Sequence, residues 1–422
     1  VPPRSGEGTV DPVTARVLVG AFVALIAVPA ACQAVDRGGV AIVQAFSGDV
    51  QTEGFQKALQ HLETRVEREA VFPATVRGSY REAMLWTLGQ TSETTSLGRD
   101  GFLYYRDDLK FAWGTGFLSQ RHAARIAEAR DLRGDAFEEA VRSAVRRVRR
   151  LAAPAQLPEG PYVSATATVV DIVRQLRARG LSVLVVPIPG KVAIYPEYYA
   201  PSYPLAAGPA ENRDQARWKK LLEAEGVPVV DLARPLWEAK GKAGLLYLKT
   251  DSHWSPDGLA VAADAIADRV REAGALGPLP AARFGVERQT VEYRGDQLKL
   301  LDVRNADRFF PPETITLTRV RHGTAADVVG DDAPVLLLGD SYTTMFRGDD
   351  PASGAGLPAR LMLRLGCGVQ TMAREGITPA DLLRELSARP GALAHKKLVV
   401  WTFADRAVVT VKSWELVPLP PP

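Results

Sequence analysis

The stretch Val335-Leu336-Leu337-Leu338-Gly339-Asp340-Ser341-Tyr342 reads as a buried strand running straight into a serine. An unbroken apolar run bounded by turn residues is the pattern of a strand covered on both faces, as in a parallel sheet. Ligands of open α/β sheets bind at the carboxyl ends of the strands, which is where this sequence puts Ser341. Gly339 removes side-chain bulk beside it, Asp340 reads as a turn residue fixing the loop, and the Ser341 backbone N–H is available to an oxyanion.

The neighbouring chain follows the same grammar of helix and strand with short connections, which makes the fold class α/β. A helix carrying Val169, Val173 and Leu176 ends at Gly180, and Leu181 to Ile188 is another continuous β-rich run. Val227 to Val230 and Leu398 to Trp401 read as further strands. One helix opens at Ser255 (N-cap) and Pro256, with Leu259, Ala263, Ile266 and Val270 on one face, and another opens at Thr378 and Pro379. Helical periodicity lapses between about 276 and 330, where Thr290 to Tyr293 and Thr314 to Val320 look like strands of a small β-rich insertion. Upstream, Gly98-Arg99-Asp100-Gly101 is turn chemistry feeding a strand at Phe102 to Tyr105. Two amphipathic helices are expected earlier, one with Phe55, Leu59, Leu62 and Val66, the other with Phe137, Val141, Val145 and Val148 beside a run of arginines.

The run Val17 to Val35 has Gln33 as its one strongly polar side chain, and at about 1.5 Å per helical residue it nearly crosses a hydrocarbon core of about 30 Å. Arg4 and Arg16 precede it, which puts everything after Asp36 outside the cytoplasm. Pro29-Ala30-Ala31-Cys32 also fits a cleaved signal or a lipoprotein-type site. The expected organisation is thus 1–36 as stub and anchor or signal, 37–110 as a helical linker joining the fold, 111–406 as the main domain with an insertion at about 276–330, and 407–422 as a C-terminal tail whose proline-rich end, Val417 to Pro422, is disordered. Lys+Arg 52 against Asp+Glu 49 leaves +3, so the charge gives no basis for nucleic acid as a partner, and two cysteines exclude a disulfide scaffold.

Five histidines narrow the choice of a base, and His253 stands in Thr250-Asp251-Ser252-His253-Trp254-Ser255-Pro256, just before a helix. Residues two apart in an extended loop point the same way, so Asp251 is placed to accept the Nδ1 proton of His253 and fix the tautomer whose Nε2 takes a proton from a nucleophile. No further histidine cluster or cysteine pair completes a metal site around these two, and no cofactor is expected.

The pair D-x-H-W and G-D-S-Y, with Pro187-Ile188-Pro189-Gly190-Lys191, Tyr195-Pro196-Glu197, Gly98 to Tyr105 and Trp401 to Arg406, resembles the alginate O-acetyltransferase (AlgJ/AlgX-like) group of SGNH-hydrolase-like proteins. The peptidoglycan O-acetyltransferase PatB is similar. The resemblance implies a flavodoxin-like three-layer SGNH fold with permuted motif order, because Asp251 and His253 precede Ser341. It implies a periplasmic or extracytoplasmic O-acetyltransferase, held at the inner membrane by its N-terminal helix, fed by a membrane-bound O-acyltransferase and acting on a polysaccharide. Carried over, Ser341 is the nucleophile, His253 the base and Asp251 its orienter, while Arg374 and Tyr342 bind the acetyl oxygen. Lys191, Trp254 and Trp401 are candidates for substrate contact, with an exposed turn lysine and buried tryptophans as the plainer readings. An esterase or deacetylase with the same triad, and a silent polysaccharide-binding scaffold, remain as alternatives.

Overall fold

The computed structural model describes residues 82, 85, 91, 92, 94–114, 117, 165–277, 284–301, 303, 305–321, 331–347, 353–409 and 414–419. The run Val17 to Val35 and the helices expected around Phe55 and Phe137 lie outside them. Among the described residues no helix is long and apolar enough to cross a membrane. One compact unit comprises Ser92–Leu301 with Asp307–Pro422, and the other Val1–Thr91 with Asp302–Ala306.

The larger unit opens with an antiparallel hairpin, β1 (Thr95–Leu97) and β2 (Leu103–Tyr105). Asp100 and Gly101 adopt left-handed φ at its turn. The chain then builds β3 (Ser182–Ile188), β4 (Gly285–Tyr293), β5 (Glu313–Arg321), β6 (Val335–Gly339), β7 (Ser353–Gly354), β8 (Val369–Ala373) and β9 (Leu398–Ala404). Four of these form a parallel sheet in the order β3-β9-β6-β8.

Period-two alternation divides the side chains of this sheet between two cores. Leu184, Val186, Val335, Leu337 and Val400 face one core, which the helices Pro256–Glu272 and Leu357–Leu365 cover. Val183, Val185, Leu336, Leu338 and Trp401 face the other, under the helices Ala165–Ala178 and Pro379–Ser387. A helix–sheet–helix sandwich results, as the unbroken apolar strands require. The expected caps form: Ser255 Oγ accepts from the N–H groups of Asp257 and Gly258, and Thr378 accepts from Asp381. Strands β4 and β5 pair antiparallel from Gly285↔Arg321 to Tyr293↔Glu313, and β7 joins their sheet from beyond β6.

Four expectations change. Val227 to Val230 is reduced to an isolated bridge, Val185↔Val229. The short helix Asp296–Leu301 follows β4, in a region read as free of helix. The α/β unit begins at Ser92 rather than at 111, because Phe102 and Tyr104 are buried in its core. Nor is the proline-rich end simply disordered: Val417 and Leu419 are buried, like Trp414 before them, and Gln175 bonds both Val417 O and Leu419 N. Trp414 lies against Trp401 and Phe403 and gives its Nε1–H to Ala407 O.

Trp414→Ala is expected to cost about 3 kcal/mol or more, the range for removing a buried tryptophan. Urea denaturation measures it, and a change inside about 0.5 kcal/mol would mark the segment as expendable.

Candidate active site

A hairpin-like loop, closed by the bridge Tyr247↔Trp254 and by Ser255 N–H to Leu246 O, carries Asp251 and His253. Glu313, at the start of β5, anchors this loop by accepting from Lys249 N, Thr250 N and Thr250 Oγ1. Asp251 Oδ1 accepts from the backbone N of His253 at 2.9 Å and faces its Nδ1 at 2.7 Å. Oδ2 accepts from Tyr293 Oη at 3.0 Å and Asp296 N at 2.9 Å. The carboxylate is almost fully buried with four donors around it. Burial opposes charge on both partners, but the hydrogen bond and charge that each gives the other prevail. Asp251 therefore stays well below the usual carboxylate range, and His253 rises above the ordinary imidazole value. Asp251 thus fixes the Nδ1–H tautomer, and Nε2 is left as the basic nitrogen. That Nε2 is buried and hydrogen-bonds to none of the described residues.

The second element is the end of β6. Asp340 Oδ1 accepts from Tyr342 N and its Oδ2 from Ala404 N, so this one carboxylate caps the helix Ser341–Thr344 and ties it to β9. At Gly339 an added Cβ would lie 2.0 Å from Thr343 Oγ1 and 2.6 Å from Thr402 Oγ1, which is why the strand ends in glycine. Ser341 is the first residue of the helix, where its N–H has no intrahelical acceptor. It lines a cleft of about 680 Å³ together with Tyr105, Asn212, Asp340, Thr378 and Arg406.

Tyr342 joins the two elements. Its ring meets His253 edge-on at 4.7 Å and Trp254 at 5.1 Å, and its hydroxyl donates to Ser252 O. Ser341 therefore sits one residue from the ring that packs on His253, and no bond joins the two in this structure. Ser252, His253 and Asp296 form another Ser–His–Asp grouping. Ser252 Oγ, however, donates to Asp296 Oδ2 at 2.5 Å and faces Nδ1, the nitrogen held by Asp251, so it braces the loop and is poorly placed to lose a proton to the ring. Asp251, His253 and Asp296 also lie close enough to hold a cation. Their carboxylate oxygens already accept from N–H and O–H groups, which makes the cluster a hydrogen-bonded network.

The structure redirects the remaining candidates. Arg374 is exposed and paired with Glu385 on the following helix, so its head is turned to solvent rather than to an acetyl oxygen. Tyr342 has both its N–H and its hydroxyl engaged and serves as packing between His253 and Trp254. Trp254 and Trp401 are fully buried and offer no face to a sugar. Lys191 is neither exposed nor facing substrate. It is buried, pushed down to about 8 by desolvation, and donates to Leu103 O and Lys249 O, pinning the β1–β2 hairpin to the loop before Asp251.

Sequence reasoning missed Arg406, Tyr293, Asp296 and Glu313. Arg406 follows the end of β9, stacks over Tyr105 and pairs with buried Asp108 at 2.7 Å. Its position just past a parallel strand was the available signal. The other three project from a region read as an insertion.

The SGNH hydrolase-like domain of the acetyltransferase AlgX family matches residues 153–405. A probable alginate O-acetylase AlgJ of Pseudomonas fluorescens is 28% identical over 258 residues, 59% of this chain and 61% of that protein. Its counterpart in Azotobacter vinelandii is 27% identical over 247 residues, 56% of this chain and 60% of that protein. The chain thus spans about three fifths of the length of these relatives. Among solved structures, the O-acetyltransferase domain of Pseudomonas putida AlgJ matches the fold with a TM-score of 0.50 at 22% identity, over 74% of this chain and 91% of that one. With its family match covering more than half of the sequence, the chain belongs to the AlgX-type SGNH hydrolase-like acetyltransferase family.

Proposed function

We propose that this chain is an extracytoplasmic O-acetyltransferase that carries an acetyl group on Ser341 and passes it to a hydroxyl of a polysaccharide. The observation that carries the reading is the buried Asp251–His253 pair packed on Tyr342, beside a cleft lined by Ser341 at the end of a parallel strand. His253 Nε2 takes the Ser341 Oγ proton as Oγ bonds to the acetyl carbon, and the proton passes to the donor's leaving group. A sugar hydroxyl then attacks the acetyl carbon, gives its proton to His253, and Ser341 leaves with that proton. The free N–H of Ser341 is one donor for the oxyanion of each step. The contact between Ser341 Oγ and Nε2 forms on substrate binding, as catalytic hydrogen bonds often tighten only in the complex.

The names of the relatives speak of alginate, which supports an exopolysaccharide acceptor of that kind. A membrane-bound O-acyltransferase is the proposed acetyl source. Val17 to Val35, preceded by Arg4 and Arg16, is the proposed inner-membrane anchor, and 276–330 the proposed insertion in a permuted SGNH order.

Incubating the protein with a chromogenic acetyl ester and candidate glycans, beside Ser341→Ala, tests the reading. Mass spectrometry is expected to find acetate on Ser341 and then on sugar, both absent from the variant. Serine-dependent acetate release without acetylated glycan would indicate an esterase, and no serine-dependent turnover would refute the assignment of Ser341.

Because His253 acts neutral and its pKa is raised by Asp251, turnover is expected to increase with pH through a midpoint above about 6.5. Asp251→Asn removes both that influence and the tautomer, so it should lower the midpoint and reduce kcat by about 10⁴-fold. A pH–rate profile of the two proteins checks it.

A further inference from the structure

Tyr293 is the last residue of β4, and it touches both halves of the site. Its hydroxyl donates to Asp251 Oδ2 at 3.0 Å and lies 3.7 Å from Met345 Sδ. Its ring meets Phe346 edge-on at 5.7 Å. Met345 and Phe346 directly follow the helix that begins at Ser341, and Met345 N–H closes that helix on Ser341 O. Phe346 holds a left-handed φ of 59°, which a bulky side chain adopts only when its surroundings impose it. Those surroundings include Tyr293, with Val291 partly buried nearby, against the small core of Leu248, Ile315, Leu317 and Ala355. Ala355 N–H also binds Phe346 O.

We propose that Tyr293 is a positioning residue that couples the two halves of the catalytic centre, holding the Asp251 carboxylate by its hydroxyl and the turn after Ser341 by its ring. The inference rests on the assignment of Asp251, His253 and Ser341 above. In this arrangement the antiparallel sheet acts as a brace: a shift of β4 moves the Asp251 carboxylate and the turn after Ser341 together. The hydroxyl also draws charge from Asp251 Oδ2, which weakens the grip of Oδ1 on the His253 Nδ1 proton. The charged groups acting on His253 are Asp251, Asp296 and Asp340, with Asp108 also within electrostatic reach; those acting on Tyr293 are Asp251, Asp296 and Glu375. Burial and the Asp251 charge keep the phenol protonated throughout the neutral range, so it acts as a donor.

Tyr293→Phe and Tyr293→Leu in the full chain separate the two contacts. The Phe variant keeps the ring and is expected to lose about tenfold in kcat with KM within about twofold, the effect of one hydrogen bond to a charged group. Its acidic limb is expected to move upward by about half a pH unit, because Asp251 then holds the imidazolium more firmly. The Leu variant also releases Phe346 and is expected to lose about a further tenfold. An NMR titration of the His253 ring in wild type and Tyr293→Phe reads the same shift without turnover. Should the wild type prove inactive, that failure belongs to the proposed function, and the titration still decides the role of Tyr293. An unmoved His253 midpoint with wild-type kcat, or a lower melting temperature with neither change, would overturn the coupling.

Discussion

A carboxylate buried away from water must be surrounded by donors, and much of the site follows from meeting that demand at Asp251. Its four hydrogen bonds come from His253, from the end of β4 and from the start of the next helix. No single element could supply them. The loop needs the antiparallel sheet beside it, and Glu313 repeats the arrangement one residue earlier by accepting three donors from Lys249 and Thr250. Lys191 ties the same loop to the β1–β2 hairpin, with its ammonium on two backbone carbonyls.

The strand that ends at Ser341 answers to a different constraint. β6 lies between β9 and β8 and pairs with both, its two faces buried, so that the strand's end is where it presents a side chain to a cleft. Gly339 and Asp340 shape that end, one by leaving room for Thr343 and Thr402, the other by tying helix and neighbouring strand together. Both functions are local, which explains why they were legible in a short stretch of sequence. The parallel strands were legible for the same reason, since an unbroken apolar run has few other uses. The capped helices were too, because Ser255-Pro256 and Thr378-Pro379 state their starts outright.

What could not be read depends on contacts between segments far apart in the chain. Periodicity carries no record of Tyr293 reaching Asp251 across 42 residues, nor of Lys191 finding carbonyls at Leu103 and Lys249. Strand β4 is mostly exposed and so lacks the apolar signature that would have marked it as part of the framework around Asp251. Strand β8 escaped because Gln370 and Thr371 interrupt its apolar pattern. Arg374 shows the converse, a residue type suited to acyl recognition that an ion pair has already claimed, while Trp254 and Trp401 follow the plainer of their two readings and are buried.

The cleft beside Ser341 adds a charge that the motifs did not assign. Arg406 enters it from the end of β9, but its guanidinium is held by Asp108, a carboxylate buried on the helix that follows the β1–β2 hairpin. Gly190 makes the approach possible, since a Cβ there would stand 2.6 Å from Asp108 Cγ. Burial raises the Asp108 carboxyl despite the neighbouring cation, while the pairing raises Arg406 further above its ordinary value. Once paired, the two charges largely cancel at a distance, so Arg406 offers the cleft directed N–H groups with little net field. The hairpin that begins the α/β unit therefore shapes the wall of the cleft as well as closing the core, which accounts for its being built into this unit rather than left as a linker.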